Sequence, residues 1–500
     1  MSEKRLRRNF AFNLIYPIVR LAVAIVTIPI YVRHVGDARY GVISIVWVLL
    51  GYFGFLDLGL SRAATNALAK LCDAPQAERA RVLLTTTVLN IGFGLVGAAL
   101  LFVIGGYSLE HVLSVPENLK PEVARALPWI TCLFPMALIS GVGIGALESR
   151  ERFLLANLFQ MLGMSLSQIA PVIVAVFVSP SLTVVIPSAA VAQATSIIVL
   201  VAYVYRLEGP FSLRAFDWNE ARTLLSYGGW VTVTAVINPI LVSADQLLIG
   251  SLIGVAAVAH YAIPMNLVFR TQMLPVALGR TFFPRMSMLP REAARELGAR
   301  ALQWLGYGYS AVCAPGIILA PAFFRYWIGP EFALISAPVA QIIFLGAWIN
   351  GLAFVAYTLI QSQGRPDLTG KLHLAEVTPF LGILWFLTST FGINGAATAW
   401  TLRSVLDALA MFWAAGISRR IVVAAVARPV ALLCGSEIAA RFVGFNLGLA
   451  IPTAVLAGLI ALGLAYAYSD DWRQFLSIQF VRAGSLAESL IRRLKPARSA

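Results

Sequence analysis

Long apolar segments recur along this chain with little sequence between them. Runs longer than the roughly 20 residues needed to cross a bilayer follow one another from Phe10 to Tyr468. Apolar length and helix-breaking residues predict spans near 10–32, 41–66, 82–104, 123–147, 153–178, 183–205, 223–250, 257–284, 301–320, 332–361, 372–390 and 394–418. A weaker candidate near 430–446 and a clear one near 448–468 raise the predicted total to about fourteen. The pattern predicts an all-α polytopic membrane protein.

The first twelve predicted helices contain an internal repeat. Ile186–Ala192 is similar to Ile393–Ala399, and Pro17–Tyr40 aligns with Asn238–Tyr261 at a similar offset. An even number of spans per half preserves orientation, so the halves are expected to be parallel repeats of six helices each. The predicted organisation is an N-terminal six-helix lobe over 1–206, a cytoplasmic interlobe linker over 207–222, a C-terminal six-helix lobe over 223–420, two additional helices over 421–468 and a basic cytoplasmic tail over 469–500.

Composition and charge placement support a membrane location. The chain is 59% hydrophobic and 12% charged, well below the charged share of ordinary soluble domains. Most of its 38 Lys and Arg fall on one side of the predicted spans, and the predicted outer loops hold only Arg33, Arg39, Lys120 and Arg325. The positive-inside rule then predicts that both termini are cytoplasmic. The net charge of +14 is spread over many short loops, which argues against nucleic-acid binding.

Motifs of catalysis and metal binding are missing from the sequence. The four cysteines have no paired spacing and no neighbouring histidine that would indicate zinc. There is no Gly-x-x-x-x-Gly-Lys-Ser/Thr phosphate loop and no His-Glu-x-x-His motif. We therefore expect a protein that is not an enzyme and that has neither a cofactor nor a bound metal.

Five of the seven arginines inside the predicted spans are candidates for a shared site. An arginine at the bilayer centre costs about 2.5–3.5 kcal/mol of insertion free energy. If all five faced lipid, the summed cost would be comparable to the whole free energy of unfolding of a typical protein. We therefore expect them to line a wet cavity, and forked guanidinium donors suit a phosphate or pyrophosphate cargo. The predicted substrate-binding residues of this cationic cavity are Arg20, Arg62, Arg270, Arg280 and Arg403.

Three acids inside predicted spans are candidates for ion or proton coupling, namely Asp57, Asp245 and Glu376. Glu376 has His373 one helical turn away, so the two could form a proton relay, or His373 could be a simple hydrogen-bonded histidine. Asp57 could instead cap a helix break in the sequence Asp-Leu-Gly.

Structural roles also remain open for some of the arginines. Arg403 and Asp407 are four residues apart and could neutralise each other on one helix face. Arg62 and Arg280 lie close enough to the inner boundary to reach the lipid headgroups. Arg20 and Arg270 have no opposite charge three or four residues away, so we rank them first as cavity residues.

Several motifs resemble a known family. Tyr31–Gly41, Gly51–Leu60, Asp245–Gly250, Gln361–Asp367 and Gly392–Ala397 are similar, in this order, to polysaccharide-biosynthesis flippases of the O-antigen transporter type. These belong to the multidrug/oligosaccharidyl-lipid/polysaccharide exporter superfamily. The resemblance implies a two-lobe helical bundle that moves a polyprenyl-pyrophosphate-linked oligosaccharide across the cytoplasmic membrane by alternating access.

The resemblance also implies a role for particular arginines and partners. The related lipid II flippases use cationic cavity residues, and Arg20, Arg62 and Arg270 are the positions that match this role here. The expected partners are the lipid-linked glycan, the bilayer and other membrane proteins of polysaccharide assembly.

Two other functions stay open. The first is a small-molecule or drug exporter of the same superfamily, although a cationic cavity suits an acidic cargo better. The second is a membrane polymerase or ligase acting on polyprenyl-linked glycans. Such an enzyme needs a sizeable outer loop, and the longest predicted one, about Gly105–Glu122, is short.

Overall fold

The structure, a computed structural model, describes residues 19, 21–71, 73–208 and 216–477, with side chains described for all of these except 51–55, 109, 110, 226–240 and 242. Regular secondary structure over these residues is entirely helical. The helices up to the middle of the chain are α1 Leu21–Val35, α2 Asp37–Phe53, α3 Leu60–Lys70, α4 Gln76–His111, α5 Lys120–Ser149, α6 Phe153–Phe177, α7 Leu182–Glu208 and α8 Trp218–Leu252. The predicted all-α polytopic fold is confirmed.

The second half of the chain continues with α9 Val255–Phe269, α10 Met273–Met288, α11 Arg291–Trp327, α12 Pro330–Ser362, α13 Pro366–Ala415, α14 Arg419–Val443 and α15 Leu447–Tyr468. Short 3₁₀ segments, Gly54–Asp57 and Arg270–Gln272, join α2 to α3 and α9 to α10. The chain kinks inside α13 at Gly392, whose φ of 62° and ψ of −144° are not helical. We call the two parts α13a, before Gly392, and α13b, after it.

Nine of the described helices are long and apolar enough to cross a membrane, namely α4, α5, α6, α7, α11, α12, α13, α14 and α15. α14 contains the weaker candidate near 430–446. It begins earlier than predicted, and its charged residues Glu437 and Arg441 pair with each other at 3.8 Å. The predicted second and eighth spans are each interrupted by one of the 3₁₀ segments. The total of fourteen spans stays a prediction.

The chain forms two compact units. Unit 1 comprises Met1–Ile263 and Trp385–Ala396, and unit 2 comprises Pro264–Leu384 and Ala397–Ala500. These units differ from the predicted lobes, because α8 and most of α9 belong to unit 1 although the sequence repeat places them at the start of the second half. The predicted lobes therefore describe the sequence repeat and remain a prediction at the level of domains.

The core of unit 1 is built around α5, which packs against α3, α4, α6 and α7. Glycines on α5 permit the close approach of its neighbours. A Cβ atom on Gly145 would lie 2.3 Å from Oγ1 of Thr65 in α3, and one on Gly143 would lie 2.9 Å from a methyl carbon of Leu200 in α7. Because interiors are close-packed, a larger side chain at Gly145 would force α3 and α5 apart.

The core of unit 2 is built around α11, which packs against α12, α14 and α15. The indole N–H of Trp348 in α12 donates to the carbonyl oxygen of Gly306 in α11 at 3.0 Å. α15 buries only small residues, namely Ala450, Ala454, Ala457, Ala461 and Ala465, while large side chains such as Leu456 and Leu459 are exposed. Small residues at an interface between membrane helices let backbones pack closely, and the exposed leucines suit contact with lipid.

Candidate functional site

The kink at Gly392 separates two charged helix faces within unit 2. His373 and Glu376 are three residues apart on α13a, and Arg403 and Asp407 are four residues apart on α13b, so each pair lies on one face of its helix. Positive φ with this ψ is a conformation that glycine adopts without a steric penalty. Gly392 therefore allows the two charged faces to meet.

The four side chains form a cluster, which we call the charged cluster. Arg403 Nη1 lies 3.2 Å from Oε1 of Glu376, and His373 Nε2 lies 3.7 Å from Oδ1 of Asp407. The side chains of Arg403, Glu376 and Asp407 are 10%, 16% and 9% exposed. Aromatic rings complete the surroundings. The Arg403 guanidinium lies 5.4 Å from the ring centre of Phe380, and the rings of His373 and Tyr357 are stacked at 6.3 Å.

The charged cluster has polar atoms that its own hydrogen bonds do not use. Within the described part of the chain, the buried Nε of Arg403 and Oδ1 of Asp407 have no hydrogen-bond partner. One ligand atom each from His373, Glu376 and Asp407 lies within 4.8 Å of the other two. With His373 neutral, the four groups sum to one negative charge. A buried uncompensated charge is unfavourable, so the cluster is suited to take up one monovalent cation or proton, whereas a divalent ion would leave an excess positive charge beside Arg403.

This arrangement differs in pairing from the alternatives that the sequence left open. Arg403 pairs across the kink with Glu376 and not along its own helix with Asp407. His373 forms its ion pair with Asp407 and not with Glu376, which it precedes by one turn of α13a. The structure thus brings together two of the predicted site residues, Arg403 and Glu376, and adds His373 and Asp407 to them.

Asp245 belongs to a second buried site, in unit 1. Its side chain is 1% exposed, and its Oδ2 accepts a hydrogen bond from the hydroxyl of the fully buried Tyr261 in α9. Its Oδ1 accepts the backbone N–H of Gln246 at 2.8 Å. The adjacent His260 pairs with Asp37 of α2 at 3.1 Å. Asp245 is therefore held in place by α9 and lies apart in the chain from the charged cluster of unit 2.

Asp57 caps the break between α2 and α3. Its carboxylate accepts from the hydroxyl of Ser61 at 2.7 Å and from the backbone N–H of the same residue at 3.3 Å. The following residues, Leu58 and Gly59, have φ values of 48° and 71° and so turn the chain before α3 begins. The capped helix break, which the sequence offered as one interpretation of Asp57, is observed. Its role in coupling is a separate prediction.

The remaining predicted cavity arginines are spread along the chain. Arg62 and Arg280 are exposed, on α3 and α10. Arg270 is half-buried and begins the 3₁₀ segment between α9 and α10. Arg20 lies outside the described residues.

Sequence reasoning missed the partners of these residues. The sequence offered two roles for Asp407, neutralisation of Arg403 or a function of the pair, and Tyr261 entered only through the internal repeat. One signal could have indicated the role of Asp407. His373 and Glu376 share one helix face, as do Arg403 and Asp407, and a helix break at Gly392 would allow these two faces to meet.

The chain is similar to proteins of known class. A profile described as "Polysaccharide biosynthesis protein" matches residues 6–290. A Shigella flexneri protein described as a candidate O-antigen transporter is 27% identical over 412 residues, which cover 81% of this chain and 96% of that protein.

Two solved structures are similar in fold. The lipid II flippase MurJ in an inward closed conformation has a TM-score of 0.71 at 13% identity, covering 92% of this chain and 98% of its own. An inward-facing multidrug resistance transporter of the MATE family has a TM-score of 0.65 at 15% identity, covering 81% and 98%. At such identities these two structures show the fold alone.

Proposed function

Because the chain belongs to the polysaccharide biosynthesis protein family, we propose that it is a flippase that carries a polyprenyl-pyrophosphate-linked glycan, such as a polysaccharide or O-antigen repeat unit, across the cytoplasmic membrane. The similarity to the Shigella flexneri protein over 96% of that protein supports a glycan cargo. The polytopic helical fold supports a transporter that works within the bilayer.

The observation that carries the proposal is the charged cluster. Four ionisable side chains lie together on helices that are apolar enough to span a membrane, and three of them are nearly buried. A well-packed apolar core of similar volume would be as stable or more stable, so stability alone does not explain such a group. Ionisable residues at membrane depth mark ion pathways, proton relays and substrate paths.

The pyrophosphate of the cargo is bound by cationic side chains. Arg20 and Arg270 are the leading candidates, with Arg62, Arg280 and Arg403 as further members of the cavity. A guanidinium stays ionised when partly buried and offers two parallel donors to a phosphate. The polyprenyl tail remains in lipid while the pyrophosphate and the glycan enter the cavity.

Uptake of one monovalent cation by the charged cluster drives the cycle. The cluster carries one negative charge when His373 is neutral, and a bound proton or sodium ion brings it to zero. Neutralisation lowers the cost of moving α13 within the membrane, which links cation binding to alternating access. Asp245 and Asp57 are further candidate coupling groups, the first through its bond to Tyr261.

Membrane topology follows from the distribution of basic residues. The basic segments face the cytoplasm, both termini lie there, and the membrane is the bacterial inner membrane. This orientation lets the chain receive a glycan made in the cytoplasm and release it on the other side, where other polysaccharide-assembly proteins of the membrane use it.

A gene deletion tests the proposal most simply. We expect the deletion strain to accumulate lipid-linked glycan, detected by mass analysis of extracted lipids, and wild-type protein to restore export. The double variant Arg20→Gln, Arg270→Gln should reach the membrane and fail to restore export. Arg285→Gln, an exposed arginine in the last turn of α10, is the matched control and should restore it.

Two results would contradict the proposal. Normal glycan export by the double variant would remove the arginines from the cargo site. Unchanged lipid-linked glycan in the deletion strain, together with raised sensitivity to small toxic compounds, would favour the alternative function, export of drugs.

A further inference from the structure

A buried carboxylate joins four helices at one end of unit 1. Glu208, the last residue of α7, is fully buried and accepts from two arginines. Arg79 of α4 donates to it through Nε at 2.9 Å and Nη2 at 3.0 Å, and Arg150 after α5 donates through Nε at 2.6 Å and Nη2 at 2.9 Å. Arg79 also donates to the carbonyl oxygen of Leu68 in α3. The charge pattern predicts that this end faces the cytoplasm.

The same turn recurs in unit 2 with different side chains. The turn Ser149–Arg152 after α5 and the turn Ser362–Arg365 after α12 both begin at the last helical residue, and the third residue of each has a positive φ, 56° and 71°. Gln363 therefore stands where Arg150 stands in unit 1. The side chain at this position of unit 2 is therefore a neutral amide, with Nε2 as a potential donor, where unit 1 has a cation.

The acidic residue of unit 1 has no counterpart in unit 2. The internal repeat aligns the end of α7 with the end of α13b, so that Ala415 corresponds to Glu208. An arginine is nevertheless present, because Arg295 in the second turn of α11 lies against the next residue, Gly416. A Cβ atom on Gly416 would be 2.8 Å from Nη2 of Arg295. Unit 2 has kept a guanidinium at this corner without the buried carboxylate that binds its equivalent in unit 1.

Two buried donors at this corner lack an acceptor. Within the residues that the structure describes, Nε of Arg295 and Nε2 of Gln363 have no hydrogen-bond partner. Nη1 of Arg295 donates to Glu292 at 2.9 Å, but that carboxylate is 81% exposed and leaves Nε unused. Oε1 of Gln363 accepts from Nε of Arg291 at 3.3 Å, and Arg291 lies one turn before Arg295 on α11, which connects the two donors. A buried donor without an acceptor costs free energy, so the corner favours an acceptor from outside the chain.

The surrounding charge favours an anion. Arg419 and Arg420 begin α14 three residues after Gly416, and Arg365 ends the turn that contains Gln363, and all three are exposed. The acidic residues nearby in the chain are Glu292, Glu296 and Asp367. All three are exposed, and Asp367 pairs with Lys371 at 3.3 Å. The N-terminus of α14, where the N-cap Ser418 accepts from the N–H of Ile421, adds a favourable dipole for negative charge.

We propose that the corner formed by Arg295, Gln363 and Gly416 binds the phosphate group of an anionic phospholipid headgroup. A phosphate supplies oxygen acceptors to the same guanidinium and amide donors, as the Glu208 carboxylate does for the two arginines of unit 1. The corner lies at the ends of helices that are apolar enough to span the membrane, and headgroups are found at this depth. The lipid then fixes the ends of α11, α12 and α13b to one another.

Native mass spectrometry of the purified full-length protein with phosphatidylglycerol tests this site. We expect the lipid retained by Arg295→Gln to fall about tenfold relative to wild type, because a charge-assisted hydrogen bond to phosphate is lost. Gln363→Leu should also retain less lipid. Arg285→Gln removes the same charge from an exposed position of unit 2 and should retain as much as wild type. Equal retention by Arg295→Gln and Arg285→Gln would overturn the proposal.

Inorganic phosphate separates the two sources of the anion. Wild-type protein should retain phosphatidylglycerol equally in phosphate and in chloride buffer, since the acyl chains hold the headgroup in place. Loss of the lipid in phosphate buffer would show that the corner takes free phosphate, and the headgroup assignment would be wrong. Thermal unfolding of the same variants gives a second readout, because phosphatidylglycerol should raise the melting temperature of wild type and of Arg285→Gln more than that of Arg295→Gln.

Discussion

The ion pair between Glu376 and Arg403 allows a quantitative test of the charged cluster. Replacing Arg403 with Met changes the charge of the cluster from one negative to two, with His373 neutral, whereas replacing Glu376 with Leu changes it from one negative to zero. Breaking a buried pair by removing one partner costs about 3–5 kcal/mol. We expect Arg403→Met to reach this range.

The second single variant should be milder. Glu376→Leu leaves Arg403 with Asp407 one turn away on the same helix face, so we expect it to cost only about 1.5–3 kcal/mol, the value of a hydrogen bond to a charged group. The double variant removes both charges together and should be less destabilised than Arg403→Met alone. The free energy of unfolding of the four proteins in mixed detergent micelles gives the coupling energy.

A matched ion pair on the same helix is the control. Lys371 and Asp367 form an exposed pair at 3.3 Å, four residues apart on α13a. Exposed pairs of this kind contribute about 0.3–0.5 kcal/mol, so Lys371→Met should change stability little. The reasoning would be refuted if Arg403→Met cost no more than Lys371→Met, or if the double variant equalled the sum of the two single variants.

Three further predictions concern unit 1, the kink and the start of α8. Asp245→Ala removes the carboxylate that accepts from the buried hydroxyl of Tyr261 and should lower the free energy of unfolding by about 1–3 kcal/mol. A second change to Phe at Tyr261 should recover part of that loss. Gly392→Ala places a Cβ atom at a φ of 62° and should cost about 1–3 kcal/mol in unfolding experiments and abolish glycan export, and normal export would show that the kink is dispensable. The backbone N–H of Glu220 lowers the pKa of Asp217, the N-cap residue of α8, below its usual 3.8. The ionised N-cap therefore stabilises the folded state above pH 3.8, and this stabilisation is lost as the pH falls through the lower pKa of the folded state. After correction for intrinsic rates, amide hydrogen exchange in the first turn of α8 should become faster below pH 3.8 in wild type. In Asp217→Ala the corrected exchange rate should not depend on pH in this range.

Long apolar helices were the feature most accessible from the sequence. The span predicted at 153–178 is observed as Phe153–Phe177, and the one at 448–468 as Leu447–Tyr468. The break between the predicted helices 372–390 and 394–418 is the kink at Gly392. The resemblance to polysaccharide-biosynthesis flippases is confirmed by the family match. These features depend on local composition and on the order of motifs, both of which a single sequence contains.

The predicted span boundaries did not include the interruptions inside the apolar runs, although the sequence offered a helix break at Asp57 as one interpretation. The run 41–66 is mostly apolar, yet the backbone breaks at Gly54–Gly59, where Asp57 offers its carboxylate to Ser61 at the start of a new helix. The run 257–284 is interrupted by the 3₁₀ segment Arg270–Gln272, which has no side-chain cap. Hydropathy cannot detect such breaks, since the side chains on either side remain apolar.

Partners across helices were also beyond the sequence. Glu376 and Arg403 were each identified as charges inside a span, but they are 27 residues apart in the chain and meet only because α13 kinks. The sequence suggested pairing along the helix, Arg403 with Asp407, because that spacing is visible in one dimension. The cavity roles of Arg20, Arg62, Arg270 and Arg280 stay predictions.

Transport in reconstituted vesicles tests the central claim most directly. Purified protein would be incorporated into vesicles loaded with a polyprenyl-pyrophosphate-linked glycan in the inner leaflet, and an added glycosidase would report the glycan that reaches the outside. We expect wild-type protein to expose the glycan faster than protein-free vesicles do, with Lys371→Met like wild type and Arg403→Met like the protein-free control. Equal exposure with and without wild-type protein, under an imposed proton or sodium gradient of either direction, would contradict the proposal that this chain flips lipid-linked glycans.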